Sequence, residues 1–207
     1  TLNLGVAFME QGHRVLIVDL DPQGNLTMSQ GMNPDAIERS MFDVLVHRVP
    51  ISEIIHKAEV DVAVSSIDLA GAELALSSMI GRERALEKAL VEVRDKYDFI
   101  MIDTPPSLGL LTINAFVAAT GVIVPVQCEY LSMRGLVQLQ NTLRMIQENL
   151  NPEVRIEGIA VHTGSVDVTA MRAIIGSLTT EKVKVAATDS PVRSRRAPWP
   201  VNDARPA

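Results

Sequence analysis

The chain has 207 residues, 47% of them apolar, and a formal net charge of -6. That apolar share is enough for one buried core and excludes a disordered or fibrous polypeptide. A lone cysteine, Cys128, excludes an internal disulfide framework, and no apolar run reaches the ~20 residues that cross a bilayer, so a cytoplasmic protein with no membrane contact is expected.

Thr1 is not an initiator methionine and no charged leader follows it, so the chain reads as starting inside a domain. Leu2, Leu4, Val6, Phe8 and Met9 predict a mostly apolar helix closed by Gly12. A strand begins at once, at His13, and runs to Asp19. Short apolar runs rich in β-branched residues, at 15–18, 60–64, 99–102, 121–126 and 156–161, read as buried parallel strands. Helical stretches lie between and after them at 72–96, 132–150 and 169–180. The alternation predicts an α/β protein: a mostly parallel sheet with helices on both faces. Ligands of such sheets bind beyond the carboxyl ends of the strands, which directs attention to the residues after each apolar run. The domain is expected over residues 1–187. From 188 to 207 the character changes, with Arg193, Arg195, Arg196 and Arg205 crowded among prolines, and an extended, irregular segment is expected.

Two strand ends carry the chemistry. The first continues as Asp19-Leu20-Asp21-Pro22-Gln23-Gly24-Asn25, placing two carboxylates two residues apart at the ligand edge. The second, Phe99-Ile100-Met101-Ile102, runs into Asp103-Thr104-Pro105-Pro106-Ser107, an apolar strand ending in an acid, as in the Walker B element that holds Mg²⁺ through water. Either acid alone reads as a strand cap. Together, with these neighbours, they read as a water and metal site. The four histidines have no ligand spacing and Cys128 has no nearby partner, so neither zinc nor thiol chemistry is expected.

These segments, with Asn3-Leu4, Asp68-Leu69-Ala70-Gly71-Ala72-Glu73-Leu74 and Val124-Pro125-Val126-Gln127-Cys128-Glu129-Tyr130, occur in an order that resembles the ParA ATPases, relatives of MinD and the bacterial tyrosine kinases. The resemblance runs through residues 1–162. It implies a P-loop NTPase fold, with ATP and Mg²⁺ as cofactors, Asp21 orienting the attacking water, Asp19 supporting it, and Asp103 with Asp21 at the metal. It further implies that Thr104, Pro105 and Pro106 form a switch that senses the γ-phosphate. Pro191 and Arg193 fall at the adenine side of the family pattern, and Arg134 and Arg172 on or beside later helices that present basic side chains to DNA. The family's phosphate loop, a deviant Walker A with two lysines, falls ahead of the position matched by Leu2. The resemblance therefore leads us to expect a domain lacking its first strand and P-loop, inactive as written.

The partners implied are a second copy of the chain in an ATP-bound homodimer, nonspecific DNA and a ParB-like activator, in a nucleoid-associated protein for chromosome or plasmid segregation. Three alternatives stay open: a MinD-like positioning ATPase, a relative of the tyrosine kinases, and an inactive fragment. The proline-rich end Arg195-Arg196-Ala197-Pro198-Trp199-Pro200 speaks against a membrane helix, and Tyr97 and Tyr130, both internal, speak against a tyrosine-rich tail.

Overall fold

The computed structural model describes residues 1–127, 132–162 and 184–188. Helix α1 (Leu2–Glu10) stops where the N–H groups of Gln11 and Gly12 turn back onto the carbonyls of Phe8 and Met9. The chain then enters β1 (Val15–Asp19), buried along its whole length. There follow α2 (Asn25–Ser29), β2 (Ile55–His56), β3 (Asp61–Ala63), α3 (Ala72–Ser77), α4 (Ala85–Leu90), β4 (Phe99–Thr104) and α5 (Leu110–Ala118). Next come β5 (Gly121–Gln127), α6 (Ser132–Asn149), β6 (Arg155–His162) and β7 (Lys184–Thr188).

The seven strands form one sheet in the order β2-β3-β1-β4-β7-β5-β6. Every pairing is parallel except β2 with β3. Successive side chains on a strand face opposite ways, and the core divides accordingly. Val15, Ile17, Phe99, Met101 and Ile123 join Leu4 and Phe8 of α1 in one cluster. Leu16, Val18, Ile100, Ile102, Val122 and Val124 join Leu76, Leu86, Phe116 and Leu139 of the other helices in a second. Helices therefore cover both faces, as the sequence leads one to expect.

Close approach fixes α1. A Cβ placed on Gly5 would lie 2.6 Å from Ile17 Cδ1, so the helix backbone rests almost on β1. The rings of Phe8 and Phe99 stack with centroids 4.2 Å apart, and His13 meets Phe99 edge-on at 4.9 Å. At the amino end of the sheet Arg14 forks onto Asp98, with Nη2 to Oδ1 at 2.7 Å and Nε to Oδ2 at 3.2 Å. That fork, with the bond from the Arg14 backbone N–H, holds the Asp98 carboxyl well below the usual carboxylate range.

The expected helix over 72–96 is not continuous. It is divided into α3 and α4 by a break in which Gly81 adopts φ 68, followed by a short 3-10 turn over Arg82–Arg84. Helix α5 was not expected from the sequence, nor were β2 and β7, the last of which lies between β4 and β5. The helix expected over 169–180 lies outside the described residues, as does all of the 188–207 segment beyond Thr188.

Two asparagines, Asn114 buried and Asn151 half-buried, satisfy the helix ends. Asn114 on α5 accepts from Leu86 N at 3.1 Å and donates to the carbonyls of Arg82 at 2.8 Å and Leu110 at 3.0 Å, so it closes the start of α4 against α5. Asn151 donates through Nδ2 to the carbonyls of Phe116, Val117 and Ala119 at the other end of α5. Those carbonyls have no partners within the helix and need one when shielded from water.

Candidate functional site

The carboxyl ends of β1 and β4 are neighbours, and Asp19 sits directly across from Asp103 in the parallel register. Both belong to the strand positions that face α1, and both are shielded from solvent, at 0% and 8% exposure. The ladder continues one step further, with Leu20 N donating to Asp103 O at 2.8 Å. Thr1, at the N-terminus of α1, donates its hydroxyl to Asp103 Oδ1. A carboxylate and a hydroxyl thus stand together where the positive end of a helix dipole meets a strand end, an arrangement that favours negative charge.

Asp19 does not face open solvent. Its Oδ1 accepts from Asp21 N at 3.1 Å, and its Oδ2 accepts from Thr27 N at 2.9 Å and Thr27 Oγ1 at 2.7 Å. Burial raises its pKa above the ordinary aspartate value, against the bonds from Thr27 and Asp21 N, which act in the opposite direction. Its part in this arrangement is to hold the 21–27 loop. Asp21 lies past the strand, half-buried, with Oδ1 accepting from Gln23 N at 3.0 Å. The turn it opens passes through Gly24 at φ 59, left-handed backbone in which a side chain is strained.

The loop after Asp103 has buried Thr104 and Pro105 and exposed Pro106 and Ser107. Its far end is tied to α5: Thr112 Oγ1 donates to Ser107 O at 2.6 Å, and the Glu73 carboxylate accepts from Leu111 N at 3.3 Å. Glu73 stands in the Gly71-Ala72-Glu73 segment quoted above for its order alone. Thr1, Thr27 and Ser65 also belong to this edge, and sequence reading passed over all three. The one signal was that Thr27 is a polar residue two places after the Gly24-Asn25 pair, at a position that a short helix would bury.

The structure brings Asp19, Asp21, Asp103 and Thr104 to one edge. It does not describe the side chain of Arg134, which lies on α6, and Pro191, Arg193 and Arg172 lie outside the described residues. Arg144 is exposed on α6, whereas Arg155 begins β6 and pairs with Glu157. Among the described residues no group of three or more His, Cys, Asp or Glu is placed to hold a metal ion, and no helix is long and apolar enough to cross a membrane. A cleft of about 360 Å³ lined by Lys88, Arg94, Tyr97, Asp98 and Thr120 opens at the opposite, amino end of β4, away from the acids.

A mostly parallel sheet, helices on both faces and acids at two adjoining strand ends define an α/β domain of the P-loop NTPase kind. The family described as AAA domain matches residues 1–156, and the chain belongs to it, among its ParA-type members. It is 47% identical over 162 residues to the sporulation initiation inhibitor protein Soj of Bacillus subtilis, an alignment covering 77% of this chain and 64% of Soj. It is 41% identical over 161 residues to the chromosome partitioning protein ParA of Myxococcus xanthus, covering 76% of this chain and 57% of that protein. The chain therefore spans less than two thirds of the length of these curated relatives. Among solved structures, cobyrinic acid a,c-diamide synthase from Mycobacterium smegmatis with bound ATP analog and magnesium superposes with a TM-score of 0.76 at 40% identity. That superposition covers 86% of this chain and 73% of the other.

Proposed function

We propose that this chain is part of the catalytic domain of an ATP-hydrolysing partition switch that moves a chromosome or plasmid. The observation that carries the reading is the pairing of Asp19 with Asp103 beneath the N-terminus of α1, in a chain 47% identical to Soj. Asp103 and the Thr1 hydroxyl offer only oxygen donors, which fits Mg²⁺, a cation that takes one or two carboxylates and draws its remaining ligands from water and phosphate. Bound there, Mg²⁺ would neutralise charge on the phosphates of ATP.

In this reading Asp21 accepts a hydrogen bond from the attacking water and orients it, with Asp19 supporting the loop. Asp103 holds the metal's water shell. Thr104, Pro105 and Pro106, anchored through Ser107 to α5, transmit loss of the γ-phosphate as a change of loop position, because the prolines leave the backbone few conformations. Pro191 and Arg193 are assigned to the adenine side, and Arg134 and Arg172 to DNA. ATP closes a homodimer, the dimer binds DNA without regard to sequence, and a ParB-like partner stimulates hydrolysis and release, which places the protein on the nucleoid.

The test uses the intact protein. Asp21→Ala is expected to retain Mg-ATP binding while hydrolysis falls about 10²-fold or more, the usual loss when a positioned proton acceptor is removed. Asp103→Ala is expected to weaken Mg²⁺-dependent binding as well. Duplexes of unrelated sequence should bind equally, only with ATP, and contact with about four phosphates gives a log K against log salt slope of about -3.6. Full hydrolysis by Asp21→Ala, or DNA binding that needs no nucleotide, rejects the reading. ATP turnover that requires a carboxylic acid and an amine donor would favour the amide-forming chemistry in the name of the M. smegmatis protein.

A further inference from the structure

The backbone of Asp21 is held on both sides by a closed ring of hydrogen bonds. Its N–H donates to Asp19 Oδ1 at 3.1 Å. Asp19 Oδ2 accepts from Thr27 Oγ1 at 2.7 Å, and Thr27 Oγ1 accepts in turn from Ser65 N at 3.0 Å. Ser65 Oγ donates to the Asp21 carbonyl at 2.7 Å, which closes the ring. Asp19, Thr27 and Ser65 are all at 0% exposure. They come from the end of β1, from α2 and from the residues after β3, so three separate elements converge on one peptide unit.

The Thr27 hydroxyl has one proton, and the ring assigns it to Asp19, because Ser65 N can only donate. Each bond therefore has a fixed direction. Away from water such bonds are stronger than on the surface, and removing one partner leaves another buried group unpaired. The Asp21 side chain has little of its own to fix it. It is half-buried, and among the described residues its carboxylate accepts from Gln23 N, a donor in the same turn. Where its carboxylate stands depends on where the ring holds its backbone.

We propose that Thr27 and Ser65 are positioning residues for hydrolysis, which act by fixing the Asp21 backbone so that its carboxylate meets the attacking water. The proposal rests on the reading of Asp21 given above. A position error of about 1 Å at a reacting group can cost about 10²-fold in rate, so a buried hydroxyl that never touches the nucleotide can control turnover.

The experiment measures kcat, and separately the Kd for Mg-ATP, in the intact protein. Thr27→Val keeps the shape and removes the hydroxyl, and kcat is expected to fall about 10- to 100-fold with Kd changed less than about 2-fold. Thr27→Ser, which keeps the hydroxyl, should restore kcat to within about 3-fold of the unaltered protein. Ser65→Ala, the milder change should Thr27→Val fold poorly, removes only the bond to the Asp21 carbonyl and should lower kcat about 3- to 10-fold. In an Asp21→Ala background neither substitution should reduce kcat further, since residues that act through one group are not additive. Unchanged kcat in both Thr27→Val and Ser65→Ala overturns the proposal, as does a full further loss in the Asp21→Ala background. A Thr27→Ser protein as slow as Thr27→Val overturns it too. Asp21→Ala with unaltered turnover is a different result: it rejects the role of Asp21 itself, and the proposal falls with it.

Discussion

Asn114→Ala gives the most direct measure of how the helical layer is held. The side chain is at 0% exposure and serves three partners: Leu86 N at 3.1 Å, Arg82 O at 2.8 Å and Leu110 O at 3.0 Å. Leu86 is itself fully buried, so its N–H would be left without water or protein, at a cost of about 1–3 kcal/mol. The Arg82 carbonyl is nearer solvent, and its lost bond adds about 0.5–1.5 kcal/mol. Leu110 O adds little, since a carbonyl four residues back in the same helix keeps its backbone partner. The sum is about 1.5–4.5 kcal/mol. It should be read in urea as a lower midpoint with unchanged slope, and on heating as a fall in Tm of roughly 5–15 °C for a chain of this size. Asn114→Asp should be at least as damaging, because it sets a carboxylate against two carbonyls. A loss below about 0.5 kcal/mol, the range of ordinary surface changes, would refute the argument that this amide closes α4 onto α5.

Two further outcomes follow from the geometry. Gly24→Ala puts a Cβ 2.7 Å from Pro34 Cγ on backbone at φ 59, and a proline ring has little room to yield. It should cost about 1–3 kcal/mol by thermal unfolding, and a neutral result would mean that the turn relaxes freely. Asp98 has its pKa lowered by Arg14, so its contribution is present above the unfolded aspartate pKa of ~3.9 and is lost as the pH falls towards the lower folded value. The stability gap between the unaltered protein and Asp98→Asn should therefore close on acidification below about pH 4, and a gap constant down to pH 2 would contradict it.

The strands that carry the acids were legible because β1 and β4 are buried on both faces and so read as unbroken apolar runs ending in Asp19 and Asp103. Helix α1 was legible from the same apolar excess, and α6 from its two-sided pattern. Helix α5 escaped for the opposite reason: Leu110–Ala118 is almost wholly apolar and nearly all buried, so it has no polar face to give a helical period. The division of 72–96 turned on the φ of one residue, Gly81, in an otherwise helical pattern. Strand β7, Lys184–Thr188, carries two alanines and no long apolar run, which gives little strand signal. At the site, the aspartates were readable as motif residues, but the ring through Thr27 and Ser65 joins positions 38 apart in the chain, and no local spacing announces it.

Asn151 has a consequence for the order in which the molecule opens. One amide holds the last carbonyls of α5, while its own N–H ties back to Ile146 at the end of α6. Three residues beyond the following Pro152, Arg155 N reaches Thr120 O at 3.3 Å, next to the same helix end. Fraying of one helix terminus cannot proceed without releasing the other. In hydrogen exchange the amides of Ala119, Leu150, Asn151 and Arg155 should share a single opening free energy, well above that of ordinary helix ends, and behave as one cooperative unit although they belong to three different elements.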